Sequence, residues 1–176
     1  MSGATRPAIR LPRSVAEAIV EHARDGLPNE ACGLVVGSAL AADGGVARRY
    51  VPCRNAAASP SRYLVHRDDL LGVLAELDRT GEELWGVVHS HVRTPAVPSS
   101  TDVGEAAWPA AVYVLVSLAG EAGADGVGAD EAGADDLARG ASPSSPSPDL
   151  RAWRILDGIA GELAMEIHDD VPEDAP

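Results

Sequence analysis

From Trp85 to Asp102 the chain runs WGVVHSHVRTPAVPSSTD. The first part of this stretch continues an apolar run, Leu84–His91, whose length and β-branched content read as a buried strand. His89 and His91 stand two apart, so on a strand both imidazoles project from one face and can chelate a single ion. Seven residues separate His91 from Ser99, and two separate Ser99 from Asp102. Ser99, Ser100 and Thr101 are good helix N-cap residues, which places Asp102 at the start of a short helix running through Glu105 and Ala107. A loop folded in this way brings an anionic third ligand to the imidazole pair. His, His and Asp leave the fourth tetrahedral position of zinc open, which marks catalytic rather than structural zinc. Two His one residue apart carry little weight alone. With every residue type taken as about one in twenty, the four-position pattern recurs by chance in on the order of one chain per thousand of this length.

On either side of this stretch, helix and strand signals alternate. Ser14 and Glu17 form a capping box for a helix over 14–25, with Val15, Ile19 and Val20 as its apolar stripe and Gly26 before Pro28 as its stop. Ala31–Gly37, Val46–Arg54 and Arg62–Val65 read as strands. A second helix is expected over 68–80, with Leu70, Leu71, Leu74 and Leu77 on one face and Gly81 at its end. Val112–Leu118 reads as another buried strand, and Leu150–Leu156 and Ile159–Ile167 flank Asp157-Gly158, a two-residue hairpin signal. The fold class is α/β or α+β, a sheet with a few helices.

The chain has 176 residues, enough for one domain with a sizeable core, expected over 8–168. Its 27 acids face 14 bases, all of them Arg, for a net charge of -13. That balance excludes a phosphate-backbone binder and so nucleic acid as a partner. Ala119–Asp149 holds seven of the acids and one Arg, and the tail 169–176 adds four more acids. The remainder is close to neutral. Residues 119–149 are rich in Ala, Gly, Asp, Ser and Pro, and read as a disordered low-complexity insertion between two strands. No apolar run approaches the length of a membrane span, and the opening MSGATRPAIRLP lacks the apolar stretch of a secretory signal, so a soluble cytoplasmic protein without membrane partners is expected. Cys32 and Cys53 form no Cys-x-x-Cys pair and read as free thiols.

The segment HSHVRTPAVPSSTD resembles the metal signature of the JAMM (MPN-plus) metallopeptidases, His-x-His, seven residues, Ser, two residues, Asp. That family also carries a Glu upstream, near the start of the first strand, and Pro28–Leu34 (PNEACGL) resembles that segment with Glu30 at the catalytic position. The resemblance extends over most of the chain and leaves out only the acidic insertion and tail. It implies a cytidine-deaminase-like, MPN fold: a mixed central β-sheet flanked by helices, with a zinc site at the end of a central strand. It implies one catalytic Zn2+ held by His89, His91 and Asp102, Glu30 as base and then acid, and Ser99 as hydrogen-bond donor to the oxyanion. On turn chemistry alone, Ser99 also reads as a loop-stabilising residue.

Short bacterial members with a Glu-Ala-Cys-Gly segment, here Glu30 to Gly33, are similar to the enzyme type that frees cysteine from a ubiquitin-like sulfur carrier protein ending in Gly-Gly. The implied reaction is hydrolysis of carrier-Gly-Gly-Cys to carrier-Gly-Gly and cysteine. Two alternatives stay open: an isopeptidase or processing peptidase acting on a ubiquitin-like modifier, and a non-catalytic MPN interaction module. A homodimer also stays open. The chain has no His-Glu-x-x-His, Pro-Cys-x-x-Cys, Gly-x-Ser-x-Gly or P-loop segment. His22, His66 and His168 read as surface or capping residues, Cys32 as a small buried one, and Trp85, Trp108 and Trp153 as core or rim aromatics. Ser90, between the two candidate ligands, points to the opposite strand face and reads as structural.

Overall fold

A computed structural model describes residues 8–121 and 148–170. In chain order the elements are β1 (Ile9–Pro12), α1 (Arg13–Asp25), β2 (Cys32–Gly37), β3 (Ala47–Cys53), α2 (Arg67–Thr80), β4 (Glu83–His91), α3 (Ser100–Glu105), β5 (Val112–Ser117), β6 (Asp149–Leu156), β7 (Ile159–Leu163) and β8 (Met165–His168). Six strands form one sheet in the order β3-β2-β4-β5-β6-β7. β4 and β5 run parallel and the other neighbours antiparallel, so the sheet is mixed, as expected. β1 and β8 form a separate parallel pair.

β2 and β5 are buried along their whole length, as strands covered on both faces must be. Strand alternation then sorts the side chains into two layers. Val35, Val88, Val112, Val114 and Ala152 pack with Val15, Ala16, Ile19 and Ala23 of α1. Leu34, Val36, Val87, Tyr113, Leu115 and Ile155 pack with Val73 and Leu77 of α2. Each fully buried Val, Leu or Ile among them stabilises by roughly 1.5–3 kcal/mol. By the same alternation, His89 and His91 share the α2 face with Val87.

Several local expectations are corrected. α1 begins at Arg13 with Pro12 as N-cap and no side-chain cap, so the Ser14/Glu17 capping box does not form. Instead the Ser14 amide and hydroxyl donate to Asp170 Oδ1 at 3.3 and 3.1 Å, and Arg13 pairs with Asp169 at 2.7 Å. The Asp170 carboxylate, more than 150 residues away, takes the role that a local Glu was expected to fill. Leu71 is 50% exposed and does not share the packed face of α2. Arg62–Val65 is no strand, since it makes only the isolated bridges Asn55↔Val65 and Ser59↔Arg62. Ile159–Ile167 divides at Ala164, where the chain leaves the large sheet to pair with β1.

Other expectations hold. α2 stops at Gly81, whose φ of 73° favours glycine and whose amide donates to the Leu77 carbonyl at 2.9 Å. Asp157 and Gly158 turn the β6–β7 hairpin with φ of 51° and 75°, the signs a type I′ turn requires. Ser117 pairs with Asp149, so the chain leaves β5 and re-enters at β6 directly opposite. Most of the proposed insertion 119–149 and of the tail 169–176 lies outside the described residues. Among the described residues, no helix is long and apolar enough to cross a membrane.

Candidate metal centre

The site forms where β4 ends. Cys32 of β2 pairs with His89 of β4, the Ser90 amide donates to the Ala31 carbonyl at 2.9 Å, and the Ser90 hydroxyl accepts from the Ala31 amide at 2.8 Å. Ser90 thus does structural work on the far face, as the strand pattern implied. Extending this antiparallel register by one pair sets Glu30 opposite His91. The two residues influence each other's charge state.

Beyond His91 the loop is pinned through three consecutive carbonyls. Thr94 O accepts from Ser117 Oγ at 2.7 Å, Pro95 O from His91 Nδ1 at 2.7 Å, and Ala96 O from the Trp153 indole at 3.0 Å. The loop so held delivers Ser99 as N-cap of α3, in a complete capping box with Asp102. Asp102 N–H donates to Ser99 Oγ at 3.2 Å, while the Ser99 amide and hydroxyl each donate to Asp102 Oδ2 at 2.7 Å.

These elements bring His89, His91 and Asp102 together. One ligand atom from each lies within 4.8 Å of the others. The two Nε2 atoms are 3.2 Å apart, and they lie 3.3 and 3.4 Å from Asp102 Oδ1 and Oδ2 respectively. Because Pro95 O can only accept, His91 carries a proton on Nδ1 and turns Nε2 to the cluster. Two imidazole nitrogens and a carboxylate converging on one point are a donor set that fits zinc. Burial lowers the His89 pKa and so favours the neutral, ligating form. Burial alone would raise that of Asp102, but the adjoining His89 and His91 outweigh it and hold the carboxyl well below its usual range.

Glu30 is only 6% exposed. Burial pushes its carboxyl up to about 7, with His91 opposing the rise and Asp102 adding to it. The hydrogen bonds of Glu30 among the described residues run through its backbone: its amide donates to Ser59 O at 2.9 Å and its carbonyl accepts from Asn55 Nδ2 at 2.9 Å. The carboxylate is left for another partner.

Two residues at the site escaped the sequence reading. Tyr63 stacks on His89, with ring centroids 4.2 Å apart and planes inclined by 17°. Asn55 ties the 55–65 loop to Glu30. The one available signal was an aromatic within the short stretch ASPSRYLVHR that follows a turn-forming Asn. Cys32, His22 and His66 lie outside the His89, His91 and Asp102 cluster. Cys32 is fully buried, its thiol pushed up to about 12 by burial. His22 hydrogen-bonds Tyr50 at 2.8 Å, and His66 caps α2 by accepting from the Asp68 amide at 3.3 Å. Trp85 and Trp153 are core, and Trp108 is partly buried against it.

The family model for prokaryotic homologues of the JAB domain matches residues 12–126, which include Glu30, both His, Ser99 and Asp102. The chain belongs to this family. It is similar to the CysO-cysteine peptidase of Mycobacterium tuberculosis, 38% identical over 150 residues, 85% of this chain and 84% of that one. It is also similar to the desampylase of Haloferax volcanii, 31% identical over 118 residues, 64% of this chain and 83% of that one. A solution structure of a protein from Desulfitobacterium hafniense superposes with a TM-score of 0.70 at 26% identity, covering 94% of this chain and 96% of the other. The chain is a hydrolase of the JAB family with a mixed α/β fold.

Proposed function

We propose that this JAB-family chain is a zinc-dependent peptidase that cleaves the bond after the C-terminal Gly-Gly of a ubiquitin-like sulfur carrier protein and releases cysteine. The observation that carries the chemistry is the convergence of His89, His91 and Asp102 beside the buried Glu30. The substrate rests on the likeness to the CysO-cysteine peptidase over most of both chains. His89, His91 and Asp102 would hold the metal. Zinc would supply Lewis acidity, making water easier to deprotonate and polarising the scissile carbonyl.

The chain's own residues divide the remaining work. A carboxyl with a pKa of about 7 exchanges protons readily at neutral pH. Glu30 takes the proton of the attacking water as its oxygen bonds to the carbonyl carbon. It then gives that proton to the cysteine nitrogen as the C–N bond breaks. Ser99 donates to the oxygen that gains negative charge. Its single hydroxyl proton lies on Asp102 Oδ2, so this donation requires the O–H to rotate. The Ser99 amide keeps Asp102 Oδ2 in place meanwhile, at 2.7 Å. The Pro95 carbonyl keeps the His91 proton on Nδ1 throughout.

The likeness to the desampylase favours a second reading, hydrolysis of an isopeptide bond between a ubiquitin-like modifier and a lysine. Incubating the protein with carrier-Gly-Gly-Cys and with a carrier-Gly-Gly-lysine isopeptide, and following both by mass spectrometry, separates the two. Faster loss of cysteine supports the first reading and faster loss of the lysine adduct the second. Cleavage of neither would leave the interaction-module alternative.

A further inference from the structure

We propose that Tyr63 is a positioning residue for the metal centre, holding the His89 imidazole in its ligating orientation through face-to-face stacking. The inference rests on the metal reading proposed above and extends it to a residue outside the ligand set.

The three ligands are held in different ways. Asp102 is held by the amide and hydroxyl of Ser99, and His91 by the Pro95 carbonyl at Nδ1. A ligating His usually gives its second ring nitrogen to such an acceptor, which fixes rotation about Cβ–Cγ. His89 lacks that restraint: its Nδ1 is buried and has no hydrogen-bond partner among the described residues. What lies against its ring is Tyr63, at a centroid distance of 4.2 Å and an angle of 17°. Turning the His89 ring about Cβ–Cγ would drive its edge into the Tyr63 face, so the stack restricts the same rotation that the missing hydrogen bond would have restricted.

Tyr63 can do this only if its own backbone is fixed, and it is. Asn55, two residues past β3, accepts from the Leu64 amide at 2.9 Å and the Ala57 amide at 3.0 Å. Its Nδ2 donates to the Arg62 carbonyl at 3.0 Å and the Glu30 carbonyl at 2.9 Å. Both chain neighbours of Tyr63 are therefore tied to the side chain that also holds Glu30. Arg62 further bonds Glu105 at 2.6 Å, joining the loop to α3, the helix that carries Asp102. The Tyr63 ring is thus set by contacts that lead to Glu30 on one side and to Asp102 on the other.

The stack uses the ring face, so Tyr63→Phe preserves it while Tyr63→Leu and Tyr63→Met remove it. Zinc affinity is read by competition with a chromophoric chelator, and ligand geometry by the visible absorption of the cobalt-substituted proteins. The Phe variant is expected to match the wild type. Leu and Met are expected to weaken zinc binding by roughly 10- to 100-fold and to shift the cobalt bands, as loss of outer support for a ligand does. Met keeps the volume and flexibility that fill a site, so it carries the test if the Leu variant does not fold. Leu and Met variants with wild-type affinity and spectrum would overturn the proposal. So would a Phe variant as weak as Leu. A wild-type chain that takes up no zinc would overturn the metal reading and this inference with it, a result distinct from wild type and Leu binding zinc alike.

Discussion

Replacing Glu30 with Gln should make the metal-free protein more stable while abolishing cleavage. Glu30 is 6% exposed and its carboxyl, ordinarily near 4.5, is pushed up to about 7 by burial. The folded pKa lies above the unfolded one, so folding takes up a proton. The stability linked to this group is fully present below pH 4.5 and is lost as the pH rises through about 7. Taking 1.36 kcal/mol per pH unit, the ionised carboxylate destabilises the fold by about 3 kcal/mol at pH 8 and by about 1 kcal/mol at pH 5. Gln has nearly the same shape and carries no charge to desolvate. Its substitution leaves intact the backbone bonds to Ser59 and Asn55. Urea unfolding of both proteins in chelator, from about pH 4 to 8, reads the difference directly. A Glu30→Gln variant no more stable than wild type at pH 8 would refute the claim that Glu30 is a desolvated carboxylate held ready to accept a proton. Equal gains at pH 8 and pH 4 would do the same, since they would place the effect outside this ionisation.

Ser99→Ala should lower kcat by roughly 100- to 1,000-fold if the hydroxyl serves the oxyanion. Its loss as a helix cap should lower stability by only about 1 kcal/mol, and zinc content should persist because the Ser99 amide still holds Asp102; initial rates, urea unfolding and metal analysis check the three. Asn55→Ala removes the side chain that joins the Arg62, Leu64 and Ala57 backbone to Glu30, and should destabilise the protein by roughly 2–3 kcal/mol in urea unfolding while lowering kcat more than it changes KM. Burial lowers the pKa of His91 but the adjoining Asp102 and the Pro95 carbonyl outweigh it, so protons compete early for this imidazole. Zinc affinity, followed by chelator competition, should therefore decline steadily as the pH falls through the histidine range.

The spacing of His89, His91, Ser99 and Asp102 was legible because each step is local. A strand puts alternate residues on one face, and a Ser N-cap sets the residue three positions on. The buried strands around the site were legible too, as apolar runs bounded by Gly and Pro. What was not legible depends on partners far along the chain. β1 is four residues long and pairs with β8, more than 150 positions away. Ser14 is bonded by Asp170, so a sound local pattern with Glu17 lost to a tertiary partner. Tyr63 and Asn55 share this character. Arg62–Val65 has the composition of a strand, but Asn55 folds the segment back on itself and presents Tyr63 to His89 instead.

His89, His91 and Asp102 are proposed to form a metal centre on which peptide hydrolysis depends. Zinc stoichiometry of the purified wild-type, His91→Ala and Asp102→Asn proteins, measured alongside cleavage of carrier-Gly-Gly-Cys in the same samples, tests it most directly. One zinc per wild-type chain is expected, with metal and cleavage lost together in both variants and both restored to stripped wild type by added zinc. Cleavage that persists in the stripped wild type, or wild type and variants that hold the same zinc, would contradict it.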